Sequence, residues 1–298
     1  MSYVILDLEW NSAYCYKLKQ FVNEIIEFGA VRLDDEWNVE SAFSSLVKPI
    51  IGKKLNGKVK KLTKISITEL KQEGAGFLTA AERFAEFLGD STVLTWGTSD
   101  IHALIENYSF FTGDFHIPFL KKYGDLQEYC ARALDRYDEG TQMGLGACAE
   151  LLGVHFLEEE QHRALADAYL SLKCFTTVES SVPLEACVLR ADCEEFYKRM
   201  MFRNHFITDL KDPNVDQKKL EFCCDRCGSS MRRTKKWHLQ HKSFSADFSC
   251  KSCGRCFTGR VAFKKRYDGV KVTHKIVEIV PQEKKDAPTA EKEPIRTE

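Results

Sequence analysis

The sequence predicts an α/β domain followed by a small β-rich module that holds a metal ion. Two observations lead to this fold class. Strand-like segments come first and then alternate with helical segments up to about residue 180, an order typical of a mixed sheet flanked by helices. Two Cys-x2-Cys pairs follow in a short segment with few apolar residues. The predicted parts are an α/β domain over 1–180, a helical bridge over 181–219, a metal-binding module over 220–280 and a disordered tail over 281–298.

Hydrophobic periodicity predicts the elements of the α/β domain in chain order. The predicted strands are YVILDLE, IIEFGAVRL, a segment over 41–47, and TVLTWG. The predicted helices are TAAERFAEFLG, SDIHALIENYSFF, QMGLGACAELLG and HRALADAYLSLKCF. The stretch IGKKLNGKVKKLTK contains six lysines and two glycines, so it is predicted to be an exposed loop. A further helix is predicted to begin at Pro183 and to form the bridge.

Composition and charge narrow the class of protein. The chain is 44% hydrophobic and 29% charged, which is ordinary for a globular protein. No apolar run approaches the ~18 residues of a membrane span, and MSYVILDLEW lacks the basic start of a signal peptide, so we expect a cytoplasmic protein with mostly reduced cysteines. Residues 1–180 hold 18 Lys and Arg against 27 Asp and Glu, whereas residues 221–280 hold 14 against 5. This contrast favours a basic module for a polyanion, although unlike charges can also fall in different domains without a function.

Several acids without an obvious basic partner are the candidate functional residues. Asp7 and Glu9 are two apart on one strand, so both project from the same face, where a divalent cation would neutralise them. Asp100 follows a buried strand, the position at which open α/β sheets place their sites. Asp167 lies in a stripe of small residues on a helix that His162 precedes. Each acid also has a structural interpretation: an exposed strand end, a favourable charge at a helix start, or a solvated side chain.

Taken together, these residues resemble the DEDDh class of 3′→5′ exonucleases, the DnaQ-like branch of the ribonuclease H-like fold. The resemblance covers about residues 3–177. Its motifs appear as ILDLEW followed by EIIEFGAVRLD, as WGTSDIHAL, and as HRALADA with its His-x4-Asp spacing, which MGLGACAELLGV precedes. The chain departs from the family at Trp10, where a threonine or another small residue is common, and we expect Trp10 to contact the terminal nucleotide.

The resemblance implies hydrolysis of phosphodiester bonds with two Mg²⁺ or Mn²⁺ ions. Asp7 would bridge both ions, Glu9 and Asp167 would complete one site, and Asp100 would hold the second ion. His162 would act as the general base, a role that suits an imidazole near neutral pH. The product would be a nucleoside 5′-monophosphate, released from the 3′ end of single-stranded RNA or DNA, with RNA slightly favoured.

The cysteine pairs have the layout of a zinc ribbon with one structural Zn²⁺. The predicted ligands are Cys224, Cys227, Cys250 and Cys253. A glycine follows each pair, as a tight knuckle turn requires. Cys223 and Cys256 stand beside the pairs as alternative ligands. A redox role is the weaker interpretation, because a small segment with little core favours a structural metal.

Basic residues and a tryptophan between the two cysteine pairs are candidate contacts to nucleic acid. They are Arg232, Arg233, Lys235, Lys236 and Trp237. Such a mixture suits phosphate contact together with base stacking. Alternatively the hairpin is solvated and its tryptophan fills the core of the ribbon. A zinc ribbon can also bind a protein partner.

Two other functions fit the same sequence. One is a non-catalytic nucleic-acid-binding or scaffold protein on the same fold, against which the presence of all five site residues argues. The other is a proofreading subunit of a polymerase, in which the ribbon would contact protein. The sequence indicates no membrane association and no particular oligomeric state.

Overall fold

The computed structural model describes residues 2–136, 142–156, 162–179 and 183–279. Contacts divide the chain into two compact units, the first ending at Met201 and the second beginning at Phe202. The tail predicted to be disordered, residues 281–298, lies outside the described residues. Across the described segments, no helix has both the length and the apolar character that crossing a membrane requires.

The first unit is built on a six-stranded mixed sheet, which confirms the predicted α/β class. Its strands are β1 (Tyr3–Cys15), β2 (Gln20–Leu33), β3 (Val39–Leu46), β4 (Thr92–Thr95), β5 (Lys122–Asp125) and β6 (Val188–Arg190). The strand order is β3-β2-β1-β4-β5-β6. β1 pairs antiparallel with β2 and parallel with β4, but β4 reaches only as far as Ile5 of β1. The carboxyl-terminal half of β1 therefore runs on past the end of β4.

Helices cover both faces of this sheet. They are α1 (Gly57–Thr63), α2 (Ile67–Glu73), α3 (Phe77–Leu88), α4 (Ser99–Thr112), α5 (Leu126–Ala133), α6 (Leu145–Leu151), α7 (Ala164–Thr177) and α8 (Glu194–Met201). Alternate residues of β1 face opposite sides. Val4 and Leu6 pack in a cluster with α3 and α4, whereas Ile5 packs in a second cluster with α5, α6 and α7.

Two predicted elements were wrong in part. The lysine-rich stretch over 51–64, predicted as a loop, contains α1, because the Asn56 side chain accepts a hydrogen bond from the Lys58 N–H and caps the helix. The bridge helix does not begin at Pro183. Residues Leu184–Cys187 form a 3₁₀ helix, and β6 then pairs with the open edge of β5, which satisfies backbone groups that an edge leaves unpaired. The residues predicted as a bridge thus contribute to both units.

Gly29 allows α7 to start directly against the sheet. It lies on β2 opposite Asp7 of β1. A Cβ atom at this position would lie 2.0 Å from the Leu165 nitrogen and 2.1 Å from the Ala164 carbonyl carbon, both backbone atoms. The predicted stripe of small residues on α7 is buried as expected, with Ala164 and Ala168 fully covered. This close approach brings the first turn of α7 to the part of β1 that carries the acids.

Replacing Gly29 by alanine is expected to destabilise the first unit by more than about 3 kcal/mol, because the added methyl group can be accommodated only by moving backbone. Thermal unfolding followed by circular dichroism measures this. Gly57→Ala is the matched control, because a Cβ at Gly57 meets no atom within 4 Å. Equal melting temperatures for the two variants would contradict the close approach.

The second unit is an antiparallel sheet built around two cysteine knuckles. Its strands are β7 (His205–Phe206), β8 (Arg232–Arg233), β9 (His238–Gln240), β10 (Ser243–Ser249), β11 (Cys256–Arg266) and β12 (Gly269–Glu278). The order is β12-β11-β10-β8, with β7 beside β11 and β9 beside β10. Phe222, Phe248 and Phe257 form the centre of its small core. This β-rich unit agrees with the predicted ribbon.

Candidate active site

The structure brings the four predicted acids together from three elements. Asp7 and Glu9 lie on β1, Asp100 lies in the first turn of α4, and Asp167 lies in the first turn of α7. Burial raises the pKa of Asp7 well above its usual range, and the charges of Asp100, Asp167 and Glu9 raise it further. Such mutual effects between carboxylates require close approach. Residues that are 160 positions apart in the sequence therefore share one site.

Asp100 is held by the strand that carries the first two acids. Because β4 pairs with β1 only up to Ile5, the backbone of β1 beyond that point needs other partners. The Leu8 N–H donates a hydrogen bond of 2.9 Å to Asp100 Oδ1. Asp100 is 5% exposed. Because Leu8 lies between Asp7 and Glu9 in the sequence, this bond holds the Asp100 carboxylate next to both acids.

His162 and Asp167 are linked at the start of α7. The His162 N–H donates a hydrogen bond of 3.0 Å to Asp167 Oδ2. His162 has a positive φ of 67°, an uncommon conformation for a residue other than glycine, which turns the chain just before the helix. One ligand-type atom from each of His162, Asp167 and Glu9 lies within 4.8 Å of the others. The imidazole therefore reaches the acid cluster, as the sequence predicts for a histidine that precedes this helix.

The acids carry more negative charge than the protein itself can balance. Burial raises the pKa of Glu9 to about 8, and Asp167 and Glu27 add to this shift. Burial also raises the pKa of Asp100 to about 7, against the hydrogen bond from Leu8 that lowers it. Within the described residues, none of the four acids forms an ion pair with a lysine or arginine. A cluster of carboxylate oxygens that forms no ion pair with lysine or arginine fits hard divalent cations such as Mg²⁺ and Mn²⁺.

Sequence reasoning missed an ion pair that positions α7. Glu27 on β2 is 1% exposed and lies directly opposite Glu9. Its carboxylate accepts hydrogen bonds from Arg163 Nε at 3.0 Å and Nη2 at 2.7 Å, and from the Ala164 N–H at 3.1 Å. Arg163 forms its ion pair with Glu27 and ties the start of α7 to the sheet, and its charge also lowers the pKa of Glu9. A signal was present, since Glu27 is an acid inside the apolar run IIEFGAV.

Replacing Arg163 by methionine is expected to lower kcat about 10- to 100-fold, the usual cost of losing a group that orients a site. It should also destabilise the protein by about 2 kcal/mol, because Glu27 stays buried without its partner. Steady-state kinetics and thermal unfolding measure both effects. Arg132→Met is the control, because Arg132 pairs with Glu128 on an exposed helix surface. A normal kcat for Arg163→Met would show that the ion pair does not position His162 and Asp167.

Trp10 follows Glu9 at an irregularity in the pairing of β1 with β2. Glu9 lies opposite Glu27, but Trp10 lies opposite Ile25, so β2 contains one extra residue at Ile26. Trp10 is half-buried and packs against the first core cluster. Its contact with a nucleotide stays a prediction.

In the second unit, the four predicted zinc ligands form one cluster. The Sγ atoms of Cys224 and Cys253 are 3.5 Å apart, as are those of Cys227 and Cys250, and all four lie within 4.8 Å of one another. Tetrahedral Zn²⁺ with bonds of about 2.3 Å has sulfur atoms about 3.8 Å apart, so the thiol set fits this ion. The alternative ligands, Cys223 and Cys256, are exposed and lie outside the cluster.

The five residues of this unit that are predicted to contact nucleic acid differ in burial and in the side chains that they contact. Trp237 is half-buried, packs on Phe248 and contributes to the core. Arg233 lies over the Trp237 ring, 5.9 Å from its centroid, and Lys235 pairs with Asp247 at 2.6 Å. The two other predicted residues, Arg232 and Lys236, are exposed.

Comparison with known proteins gives the following matches. The RNase T family model, described as an exonuclease, matches residues 4–175. The probable 3′-5′ exonuclease KapD of Bacillus subtilis (strain 168) is 33% identical over 182 residues, which make up 60% of this chain and 84% of that protein. A crystal structure of a full-length 3′-exonuclease matches at 21% identity and a TM-score of 0.49. The match covers 58% of this chain and 58% of that chain. The nuclease domain of 3′hExo, a DEDDh family member bound to rAMP, matches at 20% identity and a TM-score of 0.47, covering 61% of this chain and 96% of that one.

Proposed function

Because this chain belongs to the RNase T exonuclease family and is a hydrolytic 3′→5′ exonuclease, we propose that it shortens single-stranded nucleic acid from the 3′ end and releases nucleoside 5′-monophosphates. The observation that supports this most directly is the meeting of Asp7, Glu9, Asp100, Asp167 and His162 in one site. We propose RNA ahead of DNA as substrate, since the sequence resembles stand-alone RNA-processing members of the DEDDh class.

We assign the divalent ions to the acid cluster. Asp7, with acids on either side, would contact both ions; Glu9 and Asp167 would complete one site, and Asp100 would hold the second. When bound, such ions stabilise the charge that develops on the attacking and leaving oxygens of an in-line displacement. The raised pKa values of the acids support this assignment, because a cation favours the ionised form of each carboxyl group.

His162 would take the proton of the attacking water. As the water oxygen bonds to the terminal phosphorus, the bond from phosphorus to the O3′ atom of the preceding nucleotide breaks. The leaving O3′ oxygen takes up a proton from solvent water, so the products are a nucleoside 5′-monophosphate and a strand that is one nucleotide shorter and ends in a 3′ hydroxyl. One ligand-type atom from each of Glu9 and Asp167 lies within 4.8 Å of an imidazole nitrogen, so His162 would stand beside the water that the proposed ions hold.

Replacing His162 by alanine is expected to lower kcat about 10²- to 10⁴-fold, the range of a lost general base. The wild-type rate should fall as the pH drops, since a base must be unprotonated, and the part of this fall that histidine causes should vanish in the variant. Initial rates between pH 5.5 and 9 at saturating Mn²⁺ measure this. His205→Ala, in the exposed strand β7, is the control. An unchanged rate and pH profile would remove His162 from the mechanism.

The proposed activity is tested with matched RNA and DNA 20-mers labelled at the 5′ end, incubated with Mg²⁺, Mn²⁺ or EDTA. We expect a ladder that shortens one nucleotide at a time from the 3′ end, that requires the metal, and that forms faster on RNA. Endonucleolytic fragments, or activity that persists in EDTA, would reject the proposal.

For the second unit we propose that zinc organises a module over 220–280 that binds the same strand. The module has nine more basic than acidic residues over 221–280, and Arg232 and Lys236 are exposed. Phosphate contacts of this kind do not depend on base sequence. Binding of a 20-mer that weakens with salt, and that weakens further in Arg232→Gln and Lys236→Gln variants, would support this role.

A further inference from the structure

We propose that the lysine segment, residues 51–64, holds the phosphodiester backbone of the substrate strand next to the scissile nucleotide. This inference rests on the proposed function, because it assigns another part of the same substrate to a surface beside the same site. The segment contains six lysines and no acid, although residues 1–180 as a whole hold 27 acidic against 18 basic residues. Its charge is therefore opposite to that of the domain around it.

Glu24 fixes the start of the lysine segment to the sheet. This side chain is only 2% exposed. Its carboxylate accepts the backbone N–H groups of Ile50, Ile51 and Gly52 at 2.5, 2.7 and 2.7 Å. A Cβ at Gly52 would lie 2.8 Å from Asn11 Nδ2, so a larger residue would force the two apart. An ordinary solvated loop needs no such anchor.

Asn11 places the segment beside the acids. Asn11 is 1% exposed, donates from Nδ2 to the Lys54 carbonyl at 3.3 Å, and accepts the Asn56 N–H on Oδ1 at 2.8 Å. It lies two residues after Glu9 on β1, so both side chains project from the same face about 7 Å apart. The segment therefore begins next to Asn11, two residues along β1 from Glu9, on the side of the sheet that carries the predicted metal ligands.

Most lysines of the segment are not accounted for by acidic partners in the described part of the chain. Five are exposed without an ion pair inside the described part of the chain: Lys53, Lys54, Lys58, Lys60 and Lys61. Clustered like charges repel one another in the free protein, and a polyanion removes that repulsion. A fixed backbone that carries long, mobile cationic side chains suits a chain of phosphates and reads no base. We therefore assign this surface to the nucleotides upstream of the scissile bond, in RNA and in DNA.

The test compares long and short substrates in the full-length protein. The lysine variant carries Lys53→Gln, Lys54→Gln, Lys60→Gln and Lys61→Gln. The control variant loses the same charge elsewhere in the first unit. It carries Lys121→Gln, Lys122→Gln, Lys173→Gln and Lys198→Gln. Lys122 is the first residue of β5 and so lies at the amino-terminal edge of the parallel strands. Asp100 follows β4 at their carboxyl-terminal edge, which is the opposite edge of the sheet from this control residue.

We expect the lysine variant to lose about tenfold or more in kcat/KM on RNA and DNA 20-mers at low salt, mainly through KM. Hydrolysis of a dinucleotide, which has no upstream phosphates, should stay within twofold of wild type. In EDTA, the slope of log affinity for the 20-mers against log salt should fall by up to about 3, since each lost single-strand phosphate contact contributes about 0.7. The control variant should keep both its slope and its kinetics.

The inference is overturned if the lysine variant keeps the wild-type KM and salt slope, or if the control variant loses as much. It is also overturned if dinucleotide and 20-mer hydrolysis fall equally. A wild-type protein that binds the 20-mers with the full salt slope but hydrolyses nothing would reject the proposed function and leave this inference standing.

A second variant separates position from charge. Asn11→Ala keeps every lysine but removes the two hydrogen bonds that hold the segment near Glu9. We expect KM for the 20-mers to rise while the dinucleotide rate stays constant, and a cooperative unfolding transition of the first unit to show that the variant is folded. An unchanged KM in a folded Asn11→Ala protein would show that the anchored position of the lysines is irrelevant.

Discussion

Replacing Asp7 by asparagine is expected to lower kcat at least about 10³-fold, because the side chain at the centre of the acid cluster loses its charge. A lost metal contact is worth several kcal/mol of transition-state stabilisation, and each 1.36 kcal/mol is about a factor of ten in rate. Initial rates on the RNA 20-mer measure the effect. Asp35→Asn, an exposed acid after β2, is the matched control. A kcat within tenfold of wild type would refute the assignment of Asp7.

The same variant is expected to be more stable than wild type when no metal is bound. Burial and the neighbouring carboxylates raise the pKa of Asp7 and raise that of Glu9 to about 8, so ionisation is less favourable in the folded protein than in the unfolded chain. The stability that such a group contributes is complete below its unfolded pKa, about 4.3 for glutamate, and is lost as the pH rises through the folded value. Metal-free wild type should therefore melt at a lower temperature at pH 8 than at pH 5.

Thermal unfolding in EDTA at both pH values measures this prediction. We expect Asp7→Asn to melt about 2–4 °C higher than wild type at pH 8, a shift that about 1 kcal/mol produces in a domain of this size. The difference should shrink toward pH 5, and Mn²⁺ should raise the melting temperature of wild type more than that of the variant. A wild-type protein that gains stability between pH 5 and 8 in EDTA would contradict the description of the site.

Loss of zinc is expected to unfold the second unit while the first unit stays folded. Structural Zn²⁺ contributes about 10–16 kcal/mol in small zinc-binding peptides, more than the stability of a typical domain. Cys250→Ser removes one buried thiol of the cluster, so we expect the bound zinc to fall from one per chain to none. Zinc analysis of the purified protein and resolved unfolding transitions measure the outcome.

Cys256→Ser provides the matched control for this prediction, because Cys256 is exposed and lies outside the four-thiol cluster. It should keep one zinc and two unfolding transitions. Dinucleotide hydrolysis should survive in Cys250→Ser, since the acids belong to the first unit. Equal zinc content in both variants would mean that Cys256 can replace Cys250 as a ligand.

Features that depend on the spacing of residues within one strand or helix were predicted correctly from the sequence. Alternation along β1 predicted that Asp7 and Glu9 share a face, and the small residues of α7 predicted its close approach to the sheet. The start of the bridge helix was predicted wrongly, because β6 pairs with β5, a strand that lies far back in the sequence. Lys122 of β5, for example, pairs with Arg190 of β6, which follows it by 68 positions. No local periodicity reports such a pairing.

The ion pair between Glu27 and Arg163 escaped prediction for the same reason. The two residues are separated by 136 positions, and Arg163 next to His162 looks like an ordinary helix-start residue. The helix α1 was missed because its cap depends on Asn56, whose backbone is fixed by Asn11 on a distant strand. Tertiary contacts decide such short helices more than propensity does.

The bulge at Ile26 in β2 determines the side of the strand from which two buried acids project. The bulge leaves Ile26 without a partner in β1, so Glu24 and Glu27 project from the same side of the strand although they are separated by an odd number of positions. In this arrangement Glu27 holds the start of α7, which His162 precedes, and Glu24 holds the start of the lysine segment. If the same residues paired without the bulge, Glu24 would face away from the lysine segment, although every side chain of the acid cluster would remain in the sequence. The number of residues between Glu24 and Glu27, and the bulge that accommodates it, are therefore as important for the arrangement of the site as the identity of the metal ligands.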